Sequence, residues 1–263
     1  MHPLGEKYLR KLALPTIFCP GCGDGTVLNA MIHVLDQMGG TDKFAFVSGI
    51  GCSSWIPVMI NADVLHSLHG RALPVATGLK LAMPEKHVVV FTGDGDCMGI
   101  GGNHLIHTAR RNMNLTVVMI NNYIYGMTGG QTSPTTPKSS KTKTSPYGNN
   151  EAPFDAAKLV IGAGASFVAR ETSAHPRRIR KTLQAAIEHQ GFSFLEIMCQ
   201  CPTQAGRNIY GKSEPAFIFN ELKKRAVTKA IAPLELDQFR TGVLHQETDR
   251  LPYAPVAIQS PEL

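Results

Sequence analysis

No part of this 263-residue sequence holds an uninterrupted apolar run near the roughly 20 residues that a membrane-spanning helix needs, so no helical span is expected. The opening Met1-His2-Pro3-Leu4-Gly5-Glu6-Lys7 lacks the apolar core and cleavage site of a secretory signal, and the expected location is the cytoplasm. Aromatic residues make up only 7% of the chain, and few stand among the basic clusters Arg110-Arg111, Lys138 to Lys143, Arg177 to Lys181 and Lys223 to Arg225. The formal charge of +6 is therefore read as a preference for an acidic protein or phosphate-bearing ligands, not for nucleic acid. No low-complexity linker and no internal repeat divide the chain, which is long enough to bury the core of one large α/β domain with appendages. A clean Gly-x-Gly-x-x-Gly after the first strand is also missing, which disfavours a nicotinamide dehydrogenase.

What the sequence does have is strands alternating with helices. Helical periodicity runs from Thr26 to Met38 and stops at Gly39-Gly40, and Phe44 to Val47 reads as a buried strand. Further expected elements are a helix near Pro74 to Met83, a strand from His87 to Phe91, a turn at Asp94, a helix around Asn103 to Arg111 and a strand from Leu115 to Ile120. After these come a helix near Asp155 to Ile161, a strand from Ser166 to Ala169, a helix from Pro176 to His189 and a strand from Phe192 to Met198. A last helix is expected from Glu214 to about Ala230, and the rest reads as a tail. Strands that are apolar throughout imply a mostly parallel sheet with helices on both faces. Residues 121 to 153 carry no period and are too long for a plain connection, which marks them as functional or disordered.

Asp94 follows one strand and Asn121-Asn122 the next, with a single helix between. A right-handed crossover of that length joins neighbouring strands, so both polar groups should leave the sheet side by side. Strands about 4.8 Å apart suit an octahedral Mg²⁺ with ligands at about 2.0–2.1 Å, its shell completed by water and phosphate. Gly93, Gly95, Gly99, Gly101 and Gly102 let the backbone approach that phosphate at a helix amino terminus. Taken singly, each motif is also an ordinary turn. There are six cysteines, and in a cytosolic chain clustered thiols are read first as metal or redox groups. Cys19-Pro20-Gly21-Cys22 has the spacing for two thiolates to reach one centre. Cys52 follows the first strand, Cys199 and Cys201 follow the last, and Cys97 reads as a packing residue. Four thiolates fit structural zinc as well as an iron–sulfur centre.

Gly-Asp-Gly after one strand and Asn-Asn after the following one is the pattern of thiamine diphosphate enzymes. With Cys19-Pro20-Gly21-Cys22-Gly23, Gly49-Ile50-Gly51-Cys52-Ser53, His69-Gly70-Arg71-Ala72, Gly93-Asp94-Gly95-Asp96, Tyr125-Gly126-Met127-Thr128-Gly129-Gly130-Gln131 and Cys201-Pro202-Thr203 in family order, the chain resembles the beta subunit of 2-oxoacid:ferredoxin oxidoreductases. That resemblance implies a thiamine diphosphate-binding fold over residues 1–213, with an amino-terminal iron–sulfur loop, followed by a carboxyl-terminal helix and tail over 214–263. It implies Mg²⁺ held by Asp94, Asn122 and the Ile124 carbonyl. Gly93, Gly95, Asp96, Gly126, Met127 and Thr128 would line the diphosphate, with Ser53 and His69 nearby. It selects Cys201 over Cys199, giving Cys19, Cys22, Cys52 and Cys201 as ligands of a [4Fe-4S] cluster.

The implied reaction is coenzyme A-dependent oxidative decarboxylation of a 2-oxoacid, with electrons passing through the cluster to ferredoxin. The activating Glu is expected on an alpha subunit, because the chain is too short to hold a second, pyrimidine-binding domain. Motifs around Gly126 and Cys201 look closest to the 2-oxoglutarate-using members; pyruvate and branched-chain 2-oxoacids are the other expectations. Some relatives carry a basic residue at the positions of Trp55 and Gly129. This chain has neither, so a distal carboxylate would need Arg207, otherwise an ordinary surface charge, or the partner. The reading of another class is a zinc-stabilised, non-redox binding subunit.

Overall fold

The computed structural model describes residues 2–228, 234–235 and 237–254. In chain order its elements are α1 (Pro3–Tyr8), α2 (Gly23–Gln37), β1 (Phe44–Ser48), α3 (Trp55–Val58), β2 (Val64–His66), α4 (Ala72–Ala82), β3 (His87–Gly93), α5 (Gly102–Arg110), β4 (Thr116–Asn121), β5 (Ile124–Tyr125) and β6 (Gln131–Thr132). They continue with α6 (Ala156–Gly162), β7 (Phe167–Thr172), α7 (Pro176–Glu188), β8 (Ser193–Met198), α8 (Pro215–Arg225), β9 (Ala226–Val227), β10 (Phe239–Arg240) and β11 (Gly242–Gln246).

Successive side chains of a strand point to opposite faces, and the apolar runs use both. Along β3, Val89 and Phe91 join the core covered by α2 and α7, whereas Val88 and Val90 join the one covered by α4, α5 and α6. The sheet order is β11-β7-β8-β4-β3-β1-β2, and every pair is parallel except β11 with β7. This is the expected α/β architecture, a mostly parallel sheet with helices on both faces. Gly93 is level with Ile120, and Asn121 with Met198, so the segments after β3, β4 and β8 leave the same edge at the same height. Among the described residues no helix is long and apolar enough to cross a membrane.

Four regions differ from the sequence reading. The turn at Asp94 is a wide helical turn, Gly95–Ile100, that breaks at Gly99 and runs into α5. The segment 121–153 is tied down by its own hydroxyls and carries the small β5–β6 hairpin. The last helix ends at Arg225, and positions 229 and 230 of the expected helix lie outside the described residues. Part of the expected tail is β11, the antiparallel edge of the main sheet; residues 255–263 lie outside the described part.

Candidate active site

The carboxyl ends of β1, β3 and β4 open onto a cavity of about 270 Å³. Its wall contains Ser53, His69, Gly93, Asp94, Gly95, Asp96, Asn122, Ile124, Gly126, Met127 and Thr128, together with Cys52. The structure thus gathers in one place every residue expected at the diphosphate and at Mg²⁺, although they are scattered over 76 positions from 53 to 128.

Asp94 is buried, and one of its oxygens, Oδ2, accepts from Ser133 Oγ (2.6 Å) and Thr135 Oγ1 (2.5 Å). No side chain among the described residues donates to Oδ1. Burial pushes this carboxyl up to about 6, against the pull of the two hydroxyls. The two asparagines after β4 divide their work. Asn121 faces inward, donating to Glu196 Oε1 (2.7 Å) and accepting from Tyr123 N and Thr135 Oγ1 (both 3.1 Å). Asn122 lies on the cavity wall, its Oδ1 accepting from Ile124 N at 3.2 Å. Tyr123 between them is held at φ +65°, a strained region for a side chain of this size, by Thr136 Oγ1 on its carbonyl (2.6 Å) and by the Arg225 guanidinium 5.7 Å from its ring centre. Ser133 and Thr135 escaped sequence reasoning because they lie in the aperiodic segment, about 40 residues from their partner.

Asp96 is also buried, and both its oxygens are engaged. Oδ2 accepts from Thr92 Oγ1 (2.6 Å), and Oδ1 accepts from Gly70 N (2.7 Å) and lies 2.7 Å from His69 Nδ1. The carboxylate thus lies against the Nδ1 side of His69, without an aligned hydrogen bond to it, and Nε2 of that ring is left for a ligand. Gly95 has its own reason: a β-carbon there would overlap the Tyr125 ring, whose hydroxyl donates to Gly95 O at 3.0 Å.

The cysteines adjoin the same cavity. A β-carbon placed on Gly126 would lie 3.6 Å from Cys201 Sγ and 3.9 Å from Cys52 Sγ. The amino-terminal loop reaches them because Gly23 N donates to Gln200 O (3.0 Å) and Pro215 packs on Gly21. Cys19 is exposed, Cys22 and Cys52 are half-buried, and Cys201 is buried. Cys199 faces Gly23 inside the core, and Cys97 is buried in the core against α4 and α5. Burial pushes the Cys22 thiol up, with Asp24 reinforcing it, and pushes Cys52 up to about 12. Burial also raises Cys201, against backbone donors. Such thiols ionise against a cationic centre rather than alone. Among the described residues no three His, Cys, Asp or Glu side chains converge on a point that would hold a single ion. Asp24, fully buried with Oδ2 unpartnered, stands beside these thiols and is pushed up to about 6 by burial.

Residues 49–197 match the family described as thiamine pyrophosphate enzyme, C-terminal TPP binding domain. The chain is 50% identical over 229 residues to 2-oxoglutarate synthase subunit KorB of Methanocaldococcus jannaschii, covering 86% of this chain and 84% of that one. It is 48% identical to the subunit of the same name from Archaeoglobus fulgidus, covering 93% and 91%. The chain belongs to the beta subunits of the 2-oxoacid:ferredoxin oxidoreductases. Within that family, the 2-oxoglutarate:ferredoxin oxidoreductase from Magnetococcus marinus, solved with 2-oxoglutarate, coenzyme A and succinyl-CoA bound, superposes with a TM-score of 0.84 at 34% identity, covering 94% of this chain and 86% of that one. For this beta subunit the matched thiamine pyrophosphate domain begins at Gly49 and ends at Ile197. The Cys19–Cys22 loop and Cys201 therefore lie outside it, as additions at one end of a common fold.

Proposed function

We propose that this chain is the thiamine diphosphate-binding subunit of a coenzyme A-dependent 2-oxoglutarate:ferredoxin oxidoreductase that makes succinyl-CoA. The observation that supports the reading is a single cavity whose wall brings together the residues expected at the diphosphate and at Mg²⁺ and also Cys52, one of the expected cluster ligands. Asp94, Asn122 and the Ile124 carbonyl hold Mg²⁺ under the diphosphate. Ser133 and Thr135 fix one oxygen of Asp94 and leave the other for the metal. The buried setting suits an ion whose shell is completed by phosphate. Gly93, Gly95 and Gly126 to Thr128 line the diphosphate, and His69, beside Asp96, donates to it.

Cys19, Cys22, Cys52 and Cys201 hold a [4Fe-4S] cluster, and Cys19, the exposed member, faces the side where ferredoxin takes electrons. When bound, thiamine diphosphate supplies the nucleophilic carbon and the electron sink for decarboxylation. The Glu that activates it comes from an alpha subunit, which completes the substrate pocket. Names of the relatives and the ligands of the Magnetococcus complex support 2-oxoglutarate over pyruvate or branched-chain 2-oxoacids.

The test is anaerobic purification with its alpha subunit, iron and zinc analysis, and 2-oxoglutarate-dependent reduction of ferredoxin. A brown complex that reduces ferredoxin only when 2-oxoglutarate and coenzyme A are both present is the expected result. A colourless, zinc-loaded complex without that activity would overturn the reading.

A further inference from the structure

A 2-oxoacid with a second carboxylate holds one charge away from its reacting end, and a site that prefers it to a neutral tail needs a cation at the cavity rim. Neither Trp55 nor Gly129 supplies one. Arg207 is exposed on the turn after Cys201; neither it nor Lys143 is among the residues of the cavity wall, but of the two only Lys143 comes within 4 Å of a β-carbon built on Gly129, the residue that follows the wall residue Thr128.

Lys143 stands where the charge is needed. Gly129 follows the wall residue Thr128, and a β-carbon added to it would lie 3.2 Å from Lys143 Nζ. The ammonium group thus fills the space that a side chain at 129 would take. With φ at +112°, a backbone conformation few residues other than glycine adopt, that space is built into the chain.

Fourteen positions separate Lys143 from Gly129 in sequence, yet its own backbone is fixed. Lys143 N donates to Gly130 O at 2.9 Å. Thr142 is buried and shares a 2.5 Å hydroxyl contact with Thr132, and Thr132 N donates to Thr144 Oγ1 at 2.9 Å. These bonds hold the 142–145 turn against β6. None of the ion pairs or side-chain hydrogen bonds among the described residues uses Lys143 Nζ, so its charge is uncommitted. A lysine with a fixed backbone and no partner among the described residues, its ammonium beside the residue that follows the cavity wall, is placed to receive an anion.

We propose that Lys143 binds the distal carboxylate of the dicarboxylic 2-oxoacid beside Gly129 and thereby sets the preference for that substrate class. This rests on the 2-oxoglutarate reading given above. The experiment compares the complex with its alpha subunit as wild type, Lys143→Met and Lys143→Arg, measuring kcat and KM for 2-oxoglutarate and for 2-oxobutyrate, which has no second carboxylate. The expected result for Lys143→Met is a rise of about 10- to 100-fold in the KM for 2-oxoglutarate, so that the kcat/KM ratio of dicarboxylate to monocarboxylate falls by that factor; Lys143→Arg restores most of it. A purely structural role would lower kcat/KM for both substrates together, and cofactor binding, followed by calorimetric titration with thiamine diphosphate, reports such a loss directly. If the wild-type complex does not oxidise 2-oxoglutarate, the substrate reading itself fails. If it does and the ratio is unmoved in Lys143→Met, only the assignment of Lys143 fails.

Discussion

Asp94 shows how a buried side chain can be poised for a cation. Burial pushes its carboxyl up to about 6, so in the empty chain the folded state holds the proton more tightly than the unfolded state does. The stability this contributes is full below the unfolded value of about 4 and is lost as pH rises through about 6. A metal that needs the ionised form must displace the same proton. The apparent affinity for Mg²⁺ with thiamine diphosphate should therefore climb as pH rises through about 6 and level off above it. Mn²⁺ binding followed by electron paramagnetic resonance from about pH 5 to about pH 8 checks this, and a flat profile would contradict it. In the sequence, the placing of Asp94 and of Asn121-Asn122 after neighbouring strands was legible, and the family resemblance, not the spacing, chose Asn122. Ser133 and Thr135 were not legible, because hydroxyls in an aperiodic segment give no sign of which carboxylate they will meet.

Elements are bound to this site by polar bonds as well as by apolar faces. Glu196 on β8 accepts from Asn121 on β4 and, at 2.6 Å, from Arg170 on β7, whose guanidinium also reaches Asp155 at the start of α6. Glu196 is 2% exposed and Arg170 11%, so removing one partner leaves a buried charge uncompensated. Glu196→Ala is expected to cost about 3–5 kcal/mol, read as a lower urea midpoint, and Glu196→Leu with Arg170→Met to cost less; equal losses would show that the charges themselves are irrelevant. The apolar runs of β1, β3, β4 and β8 announced themselves, since buried parallel strands have no polar face. Val64–His66 and Gly242–Gln246 did not: each is a short strand at a sheet edge with none of its residues buried, so neither makes an apolar run. The strained Tyr123 likewise depends on Arg225, which no local pattern links to it.

At the scale of the molecule, β11 closes one edge of the sheet. A chain ending at Thr241 would leave the outer edge of β7 open, and it is expected to self-associate, seen as a concentration-dependent rise in sedimentation coefficient; a monodisperse truncated chain would show that the edge is protected by other means. The fold class was readable from apolar strands alternating with helices, whereas the closure of the edge was not. One consequence concerns the opposite end of the sheet. All six cysteines sit at or beyond the carboxyl ends of the strands or in the loop that folds over them. The turns at the amino ends, such as Pro84 and Glu85 before β3, are exposed and carry no thiol. Attachment of the molecule by that end, through a single handle introduced at position 85 that does not react with thiols, would thus turn the cysteine-bearing end outward, the orientation that an electrode bearing a mobile mediator requires.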